Sequence, residues 1–368
     1  MIDRKLIKNI DSGLIMIVLI LFMISLVIIS SATHVMQEGL TRQVKVQTVA
    51  FCLGIIAVAI IFFFDYNTFG EFYTWIYGLS ILMLLLVYVP GVGKIQAGAR
   101  SWINLGPVDF QPSELVKILF VLSFAKFLEN KQQNINTFKG LISVAAFAAP
   151  PLVLILKEPD LGTAMVLSII IIGMLFVAEL DYKIIGMGLL AGIISMPLAY
   201  KFMAPHQRIR IDAFLNPSDP TLPGNYHVIQ SKIAIGSGQL FGKGLYQGTQ
   251  NNFNFLPVQE TDFIYAVLGE EFGFVGGAFV LIMYFMFLYR MIRIAKMAKD
   301  TYGALIVTGI TSMFAFQIFE NIGMTMGVMP VTGVTLSFLS YGGSSIVTNM
   351  IALGIVLNVG MRRMKIKF

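Results

Sequence analysis

The chain has 368 residues, 57% of them hydrophobic and only 12% charged, with a mean hydropathy of +0.79. Soluble proteins carry about 25% charged residues, so this is a polytopic membrane protein and a soluble multidomain enzyme is excluded. A net charge of +6 would suggest nucleic acid in a soluble chain, but here membrane orientation and anionic headgroups account for it, and no nucleic-acid partner is expected.

The N-terminus carries Arg4, Lys5 and Lys8 and then turns apolar without a small-residue cleavage pattern, which predicts an uncleaved first helix. A bilayer span needs about 20 mostly apolar residues. Ten segments qualify: about 13–32, 46–64, 71–90, 112–128, 139–156, 161–178, 183–201, 263–289, 301–327 and 334–360. Ten spans put both termini on one side. The N-terminus, 65–70, 126–139, 179–183, 290–300 and the C-terminus together hold fifteen basic residues, against five in 33–45, 91–111, 157–160 and 328–333. Basic residues stay inside, so the termini are expected in the cytoplasm and the long loop at about 202–262 outside. The expected fold is all-α, one transmembrane domain over 1–368, with no internal repeat and no separable soluble part. Cys52 is the only cysteine and lies in an apolar run, which excludes a disulfide framework and a cysteine–zinc site.

Polar residues inside these spans carry the chemical information, because each costs about 2.5–3.5 kcal/mol on insertion scales. Glu114 and Lys117 lie three apart on one helix face and are expected to pair. Just before them, Gly98 to Pro107 holds Arg100 and Trp102. A tryptophan anchors at headgroups, and an arginine can grip a phosphate through two parallel hydrogen bonds. Lys157-Glu158-Pro159-Asp160 is a charged outer turn. Glu320 and Asn321 must hydrogen-bond within the bundle or line a wet cavity. Ser337, Ser340, Tyr341, Ser344 and Ser345 give the last span a small polar face, which equally suits close helix packing.

The long loop opens with His206, Arg208 and Arg210, turns at Asn216-Pro217 and Asp219-Pro220, and reads as a short amphipathic helix on the membrane over 225–239. Lys232 falls within it. Glycines 236, 238, 242, 244 and 248 follow, either as a flexible turn region or as exposed backbone that a substrate approaches closely. The three histidines, His34, His206 and His227, have no ligand spacing. No serine stands in a nucleophile-elbow setting. Asp262, between this loop and the eighth span, is a partly desolvated carboxylate of raised proton affinity. It reads either as a helix N-cap beside Thr261 or as a base toward a hydroxyl held at the membrane surface.

Several of these stretches, in this order and spacing, resemble the SEDS family of shape, elongation, division and sporulation proteins (RodA, FtsW, SpoVE). They are Ala99-Arg100-Ser101-Trp102, Gln111 to Lys117, Glu158 to Thr163, Gln230 to Gly238, Phe255-Leu256-Pro257, Thr261-Asp262-Phe263, Gly269 to Gly273 and Ser340 to Ser344. The opening Lys8-Asn9-Ile10-Asp11 and the short C-terminal tail look more like RodA than FtsW, and SpoVE-like paralogues stay open. The resemblance implies a peptidoglycan glycosyltransferase of the bacterial cytoplasmic membrane, acting on its outer face. The donor is lipid II, a disaccharide-peptide on polyprenyl pyrophosphate, and the partner a class B penicillin-binding protein. The family's essential acidic residue maps onto Asp262. Many members have histidine where this chain has Glu260.

The chemistry agrees with that implication. An α-linked donor and a β-linked product need one inverting displacement, with Asp262 as the base. The leaving pyrophosphate needs positive charge, from Arg100, Arg208, Arg210 or Lys232, with magnesium or manganese as the one cofactor in view. The expected substrate-binding set adds Trp102, Glu114, Lys117, Asp160, Ser340 and Ser344. The alternatives are a flippase for the lipid-linked precursor and a non-catalytic scaffold for the penicillin-binding protein.

Overall fold

The computed structural model describes residues 8–34, 41–96, 99–104, 109–217, 219, 221–253, 255, 256 and 258–363. Arg4, Lys5, Gly98, 105–107, Pro220 and Pro257 of the sequence reading lie outside these residues.

The chain is mostly helical. In order come α1 Ser12–Thr33, α2 Arg42–Phe63, α3 Tyr66–Glu71 and α4 Tyr73–Leu86. A small antiparallel sheet follows, with β1 Gly93–Gln96, β2 Ala99–Asn104 and β3 Asp109–Phe110 in the order β1-β2-β3. Then come α5 Pro112–Lys131, α6 Phe138–Lys157, α7 Leu161–Val177 and α8 Tyr182–Phe202. The loop region holds α9 Pro205–Leu215, α10 Pro223–Ser237 and α11 Thr249–Asn252, and the chain closes with α12 Ile264–Lys296, α13 Thr301–Thr325 and α14 Gly343–Met361. Among the described residues seven helices, α1, α2, α6, α8, α12, α13 and α14, are long and apolar enough to cross a membrane, while α4 and α7 are shorter apolar helices. The sheet is a correction to the all-α expectation. Lys94 faces Trp102 across β1 and β2 and pairs with Asp109 at 2.8 Å.

The boundaries follow from capping chemistry. Asp11, Asp65, Asp160, Asp181 and Asp300 each accept a backbone N–H at the start of α1, α3, α7, α8 and α13, a contact that stabilises by about 1 kcal/mol. Pro112, Pro205 and Pro223 open α5, α9 and α10, where a proline's missing N–H costs nothing.

Side-chain bonds sort the helix ends into two groups. One joins Asp11 to Arg290 (2.6 Å), Asp65 to Arg362 (3.0 Å), Tyr66 to Asp300 (2.6 Å) and Asn136 to the Glu179 carbonyl (3.1 Å). These are the lysine- and arginine-rich segments. The other joins Gln111 to Asp160 (3.0 Å), Gln207 to the Pro159 carbonyl (3.1 Å), Arg210 to the Thr332 carbonyl (3.0 Å) and Asn251 to the Ser31 carbonyl (2.9 Å).

The expected span 334–360 is corrected. Only Gly343–Met361 is helical, and residues 334–342 enter the bundle without regular structure, although Leu336, Phe338 and Leu339 are fully buried. Gly333 and Phe338 have φ of +81° and +63°, which a helix cannot continue through. The Phe338 ring repays its unfavourable backbone by packing at 5.7 and 5.5 Å from Phe287 and Phe314. Buried non-helical backbone must find partners. Ser25 donates to Leu339 (2.7 Å), Gln47 to Ser340 (3.0 Å), Tyr284 to Ser337 (2.7 Å) and Asn321 to Val334 (2.8 Å), all at carbonyl oxygens. Four helices thus hold one irregular segment in place.

Helix α12 is broken at Gly273 (φ +65°, ψ −161°). The loop fills the break. Lys243 and Gly244 N–H groups donate to the Glu270 and Glu271 carbonyls, and Phe274 and Val275 N–H groups donate back to Gln239 and Leu240. Two glycines of the run, Gly238 and Gly242, thus lie in a close backbone contact and not in a flexible turn. A methyl on Gly238 would sit 2.0 Å from the Gly269 oxygen, and one on Gly242 2.1 Å from the Glu271 oxygen. By contrast, α8 has no buried residue and meets the core only through half-buried Ile184 and Ile185.

Replacing Gly273 by alanine is expected to cost more than the roughly 1–3 kcal/mol of an unfavourable backbone alone, because the added methyl meets the Gly242 nitrogen at 2.3 Å. Gly236→Ala, whose methyl meets nothing within 4 Å, serves as the control and leaves the melting temperature of the purified protein level or higher.

Candidate active site

Residues 258–263 form a tight turn in which the Thr261 and Asp262 N–H groups both donate to the Val258 carbonyl, at 3.2 Å. Helix α12 starts after it, with Phe263 as its cap and no side-chain capping bond. Asp262 is thus not the N-cap, and its carboxylate makes no capping bond to the helix. The turn is fixed from behind through its carbonyls. Tyr341 N–H donates to Glu260 (2.9 Å), the Ser340 hydroxyl to Thr261 (2.5 Å) and the Asn321 amide to Asp262 (3.1 Å). Gly333 covers the carboxylate, and a methyl there would lie 3.5 Å from Oδ2. The side chain keeps part of its surface open, yet the surrounding protein strips away much of its water. That burial pushes its proton affinity up to about 6, helped by Glu260 and opposed by the Thr261 hydrogen bond and the Arg210 charge.

A buried polar seam runs away from this point. Arg210 donates to the Thr332 carbonyl, and the Thr332 hydroxyl donates to Glu320 Oε1 at 2.5 Å. Glu320 shares an electrostatic environment with Asp160 and Lys117. Lys117 pairs with Glu114 at 2.7 Å, as the spacing predicted, and both are buried. Asp160 accepts from the Thr163 N–H (3.0 Å) and hydroxyl (2.8 Å) and from Gln111, while burial raises its proton affinity against these bonds. Neighbouring Glu158 has no partner for either oxygen, and burial, then the Asp160 charge, pushes it up to about 8.

A cavity beside Asp262's neighbour Arg210 is also lined by Phe214, Asn225, Val228, Lys232, Gly327 and Val331. The Lys232 ammonium rests against Gly327, where a methyl would lie 2.5 Å from Nζ. Two cations therefore flank one concavity at the end of α13. Arg208 turns the other way: its guanidinium lies 5.7 Å from the Tyr200 ring and bonds to the Lys201 carbonyl, on α8. Arg100 and Trp102 are half-buried on β2, which rests against the start of α5. Ser340 belongs to the irregular segment and holds the Asp262 turn, whereas Ser344 sits in the first turn of α14. Gln47, Ser25, Tyr284 and Thr332 were missed. Gln47 and Ser25 were visible as polar residues within apolar runs. Among the described residues no three His, Cys, Asp or Glu side chains are grouped as metal ligands.

The sequence profile of the FtsW/RodA/SpoVE family, described as cell cycle protein, matches residues 12–365. The chain belongs to this family. It is 39% identical to stage V sporulation protein E of Bacillus subtilis over 95% of this chain and 96% of that protein. It is 35% identical to the peptidoglycan glycosyltransferase MrdB of Escherichia coli K12, covering 96% and 94%. A chain in a solved peptidoglycan synthase complex, titled for its coordination of polymerization and crosslinking, superposes with a TM-score of 0.82 at 31% identity, over 96% of this chain and 98% of that one. The family assignment covers the irregular 334–342 segment and the Asp262 turn alike.

Asn321→Leu removes both amide donations, to Asp262 and to Val334. A loss of about 1–3 kcal/mol is expected, with faster hydrogen exchange confined to residues 258–263 and 334–340.

Proposed function

We propose that this chain is a peptidoglycan glycosyltransferase that polymerises lipid II on the outer face of the bacterial cytoplasmic membrane. The observation that carries the reading is the Asp262 carboxylate: its turn fixed through the backbone, its side chain short of water and bonded only by neighbouring Thr261, and the Arg210 charge acting on it. Ten spans with both termini in the cytoplasm are part of the proposal. The basic helix ends gather in one group and Asp262 lies with the other, which supports an outward-facing site.

In this reading Asp262 takes the proton from the acceptor sugar's hydroxyl. That oxygen forms the new β-bond to the anomeric carbon of the donor as the bond to the pyrophosphate oxygen breaks. A base so placed contributes about 10²–10⁴-fold. Arg210 and Lys232 receive the negative charge gathering on the departing polyprenyl pyrophosphate. A magnesium or manganese ion, where the reaction uses one, would add positive charge for the departing pyrophosphate beside Arg210 and Lys232. The Glu114–Lys117–Asp160–Glu320 seam keeps Thr332, and through it Arg210, in position. The acceptor strand passes to a class B penicillin-binding protein for crosslinking, a partnership that the complex noted above supports by analogy.

Purified protein given lipid II should make glycan strands, and Asp262→Asn should lower the rate by about 10²–10⁴-fold. The base works only when deprotonated, and its proton affinity is raised to about 6. The wild-type rate is therefore level above pH 6 and falls about tenfold per unit below it. Lipid crossing vesicles equally fast in wild type and variant, without glycan, would instead favour a flippase; neither activity with partner binding intact would leave a scaffold.

A further inference from the structure

The loop segment 239–255 carries large apolar side chains that the bundle does not cover. Leu240 is 62% exposed, Phe241 80% and Phe253 67%. Three observations say what does cover them. The first is depth. The Asp11–Arg290 ion pair, at 2.6 Å, fixes one end of both α1 and α12. Counting about 20 residues along each, or about 30 Å of helix and so one hydrocarbon thickness, leads to Ser31 on α1 and Glu271 on α12. Those two side chains are hydrogen-bonded to each other. The two helices therefore leave the hydrocarbon at one level, and the segment attaches there: Asn251 donates to the Ser31 carbonyl, and Lys243 N–H to the Glu270 carbonyl.

The second observation is backbone satisfaction. Unpaired peptide groups are excluded from lipid. Most N–H groups of the segment are paired: those of Gly242, Lys243, Gly244, Gln247, Asn252, Phe253 and Phe255 donate to backbone carbonyls and that of Gln250 to Glu270, which suits the interface, where headgroup water reaches the remainder. The third is charge. Lys243 is the only charged residue between 239 and 255, and it turns inward to Glu270 at 2.7 Å instead of outward. The apolar surface also runs on without a step into the exposed face of α12, since Leu240 bonds by backbone to Val275, beside 69%-exposed Phe274.

We propose that segment 239–255 is a membrane-interface element whose Leu240, Phe241 and Phe253 insert among the acyl chains of the outer leaflet. The occupant of this surface is the lipid bilayer, and the insertion holds the broken start of α12, with Asp262, at headgroup depth. The inference goes beyond the proposed reaction and requires only that α12 lies in the bilayer.

The test places a nitroxide on single cysteines at Phe241 and Phe253 in a Cys52→Ser background, in vesicles of phosphatidylglycerol and phosphatidylethanolamine without partner protein. Collisions with oxygen are compared with collisions with a water-soluble nickel complex. Phe285→Cys, on the exposed middle of α12, is the lipid control, and Asn216→Cys, on an exposed loop, is the water control. The oxygen-to-nickel ratio at 241 and 253 is expected to match that at 285 and to exceed that at 216 several-fold. A water-like ratio at both loop sites, which a surface reserved for another protein would give, overturns the proposal. A water-like ratio at 285 overturns it too, by removing α12 from the bilayer, and leaves the glycan assay unaffected. Unmodified protein in vesicles bearing a diazirine on the acyl chain provides the check on folding: label on Leu240 or Phe241 supports the insertion, and label on α12 without any on 239–255 refutes it.

Discussion

Buried peptide groups need partners, and this fold concentrates that need in residues 334–342. The segment runs through the interior with no helix to satisfy it, so Ser25, Gln47, Tyr284 and Asn321 each give up a side-chain donor to one of its carbonyls. Unsatisfied, each such carbonyl would cost about 1–3 kcal/mol. These bonds decide how α1, α2, α12 and α13 come together around one point. The same segment then reaches outward through Ser340 and Tyr341 to hold the Asp262 turn. Packing and chemistry share one set of contacts.

The charged seam is the second shared set. A buried ion pair such as Glu114–Lys117 is weak evidence for stability, because desolvation offsets most of the attraction. Breaking it is another matter, since one charge would stay behind unpaired. The Lys117 ammonium pairs with Glu114, and its charge also acts on Asp160 and Glu320. Such an arrangement makes sense where position matters more than stability. It terminates at Thr332, whose carbonyl orients Arg210.

Much of the helical plan was legible, because each of the ten apolar segments contains a helix. The Glu114–Lys117 pair followed from spacing alone. The irregular 334–342 segment did not, because hydropathy scores an apolar run without asking whether its backbone can coil; Gly333 and the serines were the only cues. The break at Gly273 and the loop that fills it depend on pairing between residues about thirty apart, which no local pattern encodes. At the site, Asp262, Arg210, Lys117 and Asp160 were readable as charges with no reason to be in or near a membrane. Arg208 looked equivalent to Arg210 in sequence. One helical register separates them: Arg210 faces the bundle and Arg208 faces α8.

Helix α8 buries none of its residues, so neighbouring helices do little to set its inclination. A span of 21 residues, about 32 Å long, settles its tilt by matching its apolar length to the lipid around it. Its end is tied to α9 through Tyr200 and Asp212, at 2.7 Å, and α9 carries Arg210. With the Arg208 bond to the Lys201 carbonyl, that contact makes the α8–α9 corner the place where the inclination of α8 meets the short helix that carries Arg210.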